Sequence, residues 1–107
     1  MTLIPQINVS LEAEQDLIEI YSWIAADASD QRADLILGHI YNAIEQVAAF
    51  PFLGRAHADI AGNPRSYHVR PWQVVYRPEP AGRGILVLRV LDSRRDVANV
   101  LETGATA

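Results

Sequence analysis

Lysine and cysteine are both missing from this 107-residue chain, whose nine basic side chains are all arginine. Without lysine there is no Schiff-base chemistry, phosphate-loop lysine or lysine general base. Without cysteine there are no disulfides, thiolate nucleophiles or cysteine-based zinc sites. No apolar run approaches the roughly 18 residues of a membrane-spanning helix, and the N-terminus has no charged segment leading into an apolar one, as an export signal would. Nor is there a Ser-His-Asp order, a glycine-rich phosphate loop or an H-E-x-x-H pattern. The expectation is a cytoplasmic protein without membrane association, whose chemistry rests on arginine, histidine, carboxylates or surfaces.

What is present suits one domain spanning residues 1–107. A chain of this size buries roughly two thirds of its unfolded surface, enough for a core without covalent staples. Half of the residues are hydrophobic, but fifteen of these are Ala, so core volume must come from ten Leu, ten Ile and nine Val. The net charge of −4 conceals a split: residues 1–53 carry eight acids against Arg32 alone, and residues 54–107 carry eight Arg against five acids. An acidic first half and a basic second half suggest surfaces that meet different partners.

The periodicity divides at the same place. A short β-like segment with Leu3, Ile7 and Val9 ends at Ser10, which is placed to cap a helix running to about Asp27. Its apolar stripe is Ala13, Leu17, Ile20, Tyr21 and Ile24, with Glu12, Asp16 and Glu19 assigned to the outer face. Ser29 or Asp30 opens a second helix reaching about Phe50, with the stripe Ala33, Ile36, Leu37, Ile40, Ala43, Ile44 and Val47. Pro51 and Gly54 stop it. Beyond a turn at Gly62-Asn63-Pro64 the period shortens, and Tyr67 to Val69, Trp72 to Arg77 and Ile85 to Leu91 read as strands. The last is apolar on both faces and so belongs inside a sheet. Residues 78–84 form a hairpin loop, the segment from Val97 a short helix or strand, and residues 103–107 a frayed tail. The fold class is α+β, with an N-terminal strand and an α-helical hairpin packed on a small antiparallel β-sheet.

Two apolar residues depart from the stripes: Trp23 falls on the acidic side of the first helix and Leu35 opposite the stripe of the second. Large apolar groups off the buried face mark partner surfaces, and Trp is the type most enriched at interface hot spots. Arg89 interrupts the apolar strand, sharing one face with Ile85, Val87 and Leu91 by strict alternation, and Asp92-Ser93-Arg94-Arg95-Asp96 follows. These guanidiniums either clamp an anion or pair with nearby carboxylates, and Arg70 and Arg77 flank the Trp72 strand as possible extensions. His39 reads as solvated. His57, Asp59 and His68 match no metal-ligand spacing, and His68 beside the arginines is the one candidate proton carrier. No metal and no cofactor is expected.

At this point the chain resembles a family. Val9-Ser10-Leu11-Glu12-Ala13-Glu14-Gln15-Asp16-Leu17 is similar to the opening of the RelE/ParE toxin superfamily, the small toxins of type II toxin-antitoxin modules. Pro51-Phe52-Leu53-Gly54-Arg55, Tyr76-Arg77, Arg89-Val90-Leu91 and Arg94-Arg95-Asp96 continue the likeness in the family's order across nearly the whole chain. The resemblance implies the hairpin-on-sheet fold, toxicity when free, and neutralisation by a cognate antitoxin. RelE-like members cut ribosome-bound mRNA with basic residues, typically including lysines, and often a C-terminal Tyr or His. ParE-like members poison DNA gyrase instead. With no Lys, no Tyr after Tyr76, Asp92 where the family often has His, and a net charge poor for docking on RNA, the ParE-like branch is favoured. The expected contacts with target or antitoxin are Arg70, Arg77, Arg89, Arg94, Arg95, Trp23 and Leu35. The antitoxin segment is expected to be acidic or amphipathic, to cover the strand face bearing Arg89 and to make apolar contacts along the helices. The alternatives are a ribosome-dependent mRNA endoribonuclease, with Arg89 and the other arginines holding phosphate and His68 carrying the proton, and a non-toxic relative that only binds antitoxin.

Overall fold

The structure, a computed structural model, describes residues 5–79 and 83–103. Leu3 of the expected opening strand, residues 80–82 of the hairpin loop and residues 104–107 of the expected tail lie outside the described residues. The elements run β1 (Gln6–Val9), α1 (Leu11–Asp27), α2 (Asp30–Ala49), β2 (Arg55–Ala56), β3 (Arg65–Val69), β4 (Trp72–Pro78), β5 (Gly84–Asp92) and α3 (Val97–Thr103).

Both long helices begin where a hydroxyl supplies the missing acceptor. Ser10 Oγ accepts the Ala13 N–H and Ser29 Oγ the Arg32 N–H, each at 3.0 Å. Each satisfies one of the orphan amides of a first turn, worth about 1 kcal/mol. Ser10 also donates its hydroxyl proton to the Leu88 carbonyl, tying the start of α1 to the sheet.

The five strands are ordered β1-β5-β4-β3-β2. Every neighbouring pair is antiparallel except β1 with β5, which run parallel with Ile7 opposite Ile85. Two helices and three strands separate that pair in the chain, so no hairpin dictates its sense. The Ile85 strand is internal, as its two apolar faces require. One face of the sheet packs under the helical hairpin: Leu17, Ile20 and Ile24 of α1 and Leu37, Ile40, Ile44 and Val47 of α2 cover Val74, Tyr76, Ile85, Val87 and Val90. The other face carries a smaller cluster, in which Val97 and Val100 of α3 and Ile60 cover Val75 and Leu91. The segment from Val97 is thus a helix, and it closes a face that would otherwise be wet.

A β-bulge sits in the middle of β5. Val75 pairs with Arg89 but Tyr76 pairs with Val87, so Leu88 is an extra residue and the in-out alternation changes phase there. Consequently Val87 and Leu91 belong to different clusters, on opposite faces, although strict alternation from the sequence puts them together.

Candidate partner-binding site

Arg89 turns inward, where the sequence suggested an exposed contact. It is 6% exposed, and it meets Asp16 of α1 in a two-pronged ion pair: Nε donates to Oδ2 at 2.7 Å and Nη2 to Oδ1 at 2.9 Å. Oδ2 also accepts the Val90 backbone N–H at 2.9 Å. The reason is topological. β1 ends at Val9 opposite Val87, so β5 continues past it with an unpaired edge, and a buried edge amide needs an acceptor. Ser10 and Asp16 supply from α1 what a longer strand would have supplied. The pair holds the Arg89 guanidinium above its ordinary pKa, first through the hydrogen bond to Asp16, with burial opposing and the charges of Asp16, Glu12 and Glu19 assisting.

Asp16 is therefore the functional-looking residue that sequence reasoning misplaced. Its charge assigned it to the outer face, yet with Ala13, Leu17 and Ile20 it completes a three-four spacing that predicts burial. Glu12 and Glu19 do face solvent. The paired guanidinium also revises the expected antitoxin footprint: no open strand face surrounds Arg89, which lies in the wall of a cleft.

That cleft, of about 210 Å³, is lined by Asp16, Glu19, Ile20 and Trp23 from α1 and by Trp72, Arg89, Val90, Leu91, Asp92 and Arg95 from the sheet and its following turn. Trp23 is 63% exposed. A second depression of about 220 Å³ shares Trp23 and Trp72 and adds Arg32, Ile36 and Pro71. Two indoles thus stand between two arginines, Arg95 on one side and Arg32 on the other. Gln73 Nε2 donates to the carbonyls of Asp92 and Arg95, which fixes the turn presenting Arg95. Arg94 projects from the same turn with its side chain 89% exposed and pairs with Asp92 at 3.0 Å. That hydrogen bond is the main reason the Asp92 carboxyl sits below its ordinary pKa. An exposed pair of this kind is worth little and can exchange partners.

The remaining expected contacts are scattered. Arg70 lies in the β3–β4 turn, beside Pro71, whose carbonyl accepts the Ser93 N–H. Arg77 is exposed at the other end of β4, roughly 20 Å away at about 3.3 Å per strand residue. Leu35 is half exposed on the outer side of α2. His68 is exposed on β3 opposite Gln73, and His57 shares a 2.8 Å hydrogen bond with Ser66 Oγ. Among the described residues no three His, Cys, Asp or Glu side chains are placed to hold a metal ion, and no helix is long and apolar enough to cross a membrane.

Between the helices runs a third feature, an apolar groove of about 590 Å³ lined by Leu17, Ile18, Tyr21, Leu37, Gly38 and Tyr41, with Glu14, Ser22 and Asp34 at its rim. The Tyr21 phenol is raised above its ordinary pKa by desolvation first and by the Asp34 and Asp30 charges next.

The fold is thus a helical hairpin laid across a mostly antiparallel sheet, with one groove between the helices and another between α1 and the sheet. The solved structure described as a chromosomal ParDE toxin-antitoxin system from P. aeruginosa superposes with a TM-score of 0.67 over 83% of this chain and 96% of that one, at 18% identity. Toxin ParE3 of Caulobacter vibrioides is 32% identical over 83 residues, 78% of this chain and 81% of the relative. The model of the ParE toxin of the type II toxin-antitoxin system parDE matches residues 7–97. The chain belongs to the ParE toxin family.

Within that family the motifs behind the resemblance acquire physical roles. Asp16 of the first motif meets Arg89 of the fourth. Tyr76 of the third braces Pro51 and Gly54 of the second, its hydroxyl donating to the Pro51 carbonyl at 2.7 Å and accepting the Gly54 N–H at 2.9 Å. Asp96 of the last accepts the Ala98 N–H and so opens α3.

Proposed function

We propose that this protein is the toxin of a type II module that acts in the cytoplasm by binding and poisoning DNA gyrase, and that a cognate antitoxin neutralises it by covering its grooves. The observation that carries this reading is the composition of the α1–sheet cleft. It joins two indoles to arginines over the end of β5, which is the make-up of a protein-binding hot spot. The contact set consists of Trp23, Arg95 and Arg94, extended by Arg70 at the same end of the sheet, with Leu35 and Arg77 as separate outlying contacts. Arg89 acts through Asp16 as a positioning residue. Apolar contacts along the helices are served by the groove between α1 and α2.

A ribonuclease would need its guanidiniums to converge on one phosphate beside a proton carrier. Here Arg89 is spent on Asp16, Arg94 is paired with Asp92, and Arg77 and Arg70 stand at opposite ends of one strand. These placements favour binding over cleavage.

The test uses purified protein on gyrase supercoiling and, in parallel, on translating ribosomes. Inhibited supercoiling with intact mRNA is the expected result. Codon-positioned mRNA cuts would establish the endoribonuclease instead, and silence in both a non-toxic antitoxin-binding relative. Arg94→Ala with Arg95→Ala should weaken toxicity or antitoxin binding; if both stay untouched, the contact assignment fails.

A further inference from the structure

Three of the four residues Phe50-Pro51-Phe52-Leu53, immediately after α2, turn large apolar side chains to solvent: Phe50 is 65% exposed, Phe52 72% and Leu53 47%. Loop tips are ordinarily polar, and an exposed apolar cluster marks a contact surface. This one is held out by design of the local structure. Tyr76, wholly buried, grips Pro51 and Gly54 from beneath through one hydroxyl. Arg65 donates to the Gly54 carbonyl at 2.8 Å and to the Phe52 carbonyl at 3.2 Å, and its guanidinium lies 4.9 Å from the centre of the Phe52 ring. Gly54 has no room for a Cβ, which would fall 2.7 Å from the Tyr76 hydroxyl and 2.9 Å from the Ser66 carbonyl. A knuckle bolted at both ends loses little entropy when it docks.

We infer that this knuckle is a second protein-docking surface, used on the toxin's target and not on the antitoxin, and that it fits an apolar pocket with an acidic rim. The inference rests on the protein-target reading above. Arg55, exposed on β2, and Arg65 flank the apolar group, so the complementary surface carries carboxylates. The same charges disfavour a second copy of this chain, because a two-fold contact would set the arginines against themselves. Two arginines with phenylalanines also fall short of the Trp and Tyr anchors and larger cation clusters that hold a protein on a membrane. The knuckle lies beyond the C-terminal end of α2, about 20 Å along the helix from Ile36 of the Trp23 depression, and so forms a separate surface.

The test is Phe52→Ser with Leu53→Ser, and independently the charge reversal Arg55→Glu, each confirmed as folded by its unfolding midpoint. Growth arrest on induction without antitoxin should be lost, gyrase inhibition should weaken by roughly 30-fold or more, and affinity for the cognate antitoxin should stay within about 2-fold. Retained toxicity overturns the inference, as does a parallel loss of antitoxin affinity. So does sedimentation of the parent, but not the variants, with vesicles of phosphatidylglycerol and phosphatidylethanolamine. If the parent leaves gyrase unaffected while growth arrest still depends on the knuckle, the gyrase reading fails and the docking surface stands.

Discussion

Replacing Asp16 by Ala should destabilise this protein more than any exposed charge change, and the structure indicates by how much. The substitution strands the Arg89 guanidinium, 6% exposed, without its carboxylate and removes the acceptor of the Val90 N–H. Breaking one side of a buried pair costs about 3–5 kcal/mol, and an orphaned buried amide about 1–3 kcal/mol. The two losses overlap because one oxygen serves both, so about 4 kcal/mol is expected. Domains of this size hold roughly 5–15 kcal/mol in total. Urea unfolding followed by the fluorescence of Trp23 and Trp72 should show a midpoint lower by roughly 2 M, given a typical slope of about 2 kcal/mol per M. High salt should not remove the difference, since a buried pair is poorly screened. Replacing both partners with apolar residues, Asp16→Leu with Arg89→Met, should recover the part due to the stranded charge and leave the smaller cost of the Val90 amide. A loss below about 1 kcal/mol for Asp16→Ala with unchanged slope, the size of a surface pair, would refute the reasoning.

Other outcomes follow from the same contacts. Gly54→Ala should cost about 1–3 kcal/mol in urea unfolding, because the new methyl meets the Tyr76 ring and the Ser66 carbonyl with neither free to move. Burial holds the Tyr76 phenol above its ordinary value of 10.0, so between that value and the folded one the unfolded chain has lost a proton that the native state keeps. Stability should thus be complete below about pH 10 and fall as pH rises through the folded value; Tyr76→Phe should flatten that alkaline decline in thermal melts while lowering the midpoint throughout. Ser10→Ala removes both an N-cap and the bond to the Leu88 carbonyl and should cost about 1–2 kcal/mol by the same urea measurement. Finally, the complex with antitoxin should weaken as salt rises from low to physiological concentration, because Arg95 lines the cleft and Arg94 projects into solvent from the same turn; a salt-independent affinity would remove electrostatics from the recognition.

Helical periodicity exposed the hairpin directly. Ser10 and Ser29 start the helices, the two apolar stripes are the buried faces, and His39 is solvated. The boundaries of β3, β4 and β5 were legible to within two residues because Val, Tyr and Trp cluster there, whereas the two-residue β2 at Arg55–Ala56 carries no such cluster and was not expected. Trp23 stood out as a large apolar group off the buried stripe, and it is exposed. What periodicity could not supply was the fate of charged residues at stripe positions. A carboxylate at position 16 looks external until Arg89 arrives from 73 residues away. Likewise the phase change at Leu88 has no local signal, and it redirects every side chain beyond it on β5.

The sequence alone determined the class of fold, the separation of an acidic helical half from an arginine-bearing half, and the family likeness, since each depends on local pattern and on order along the chain. The parallel β1–β5 pair, the burial of Asp16 with Arg89, the Trp23–Trp72 cleft and the outward set of Phe50, Phe52 and Leu53 were decided by tertiary structure alone. Each depends on which distant groups come to share one space. A charge is neutralised, or an aromatic ring left uncovered, by neighbours that the chain brings together only on folding.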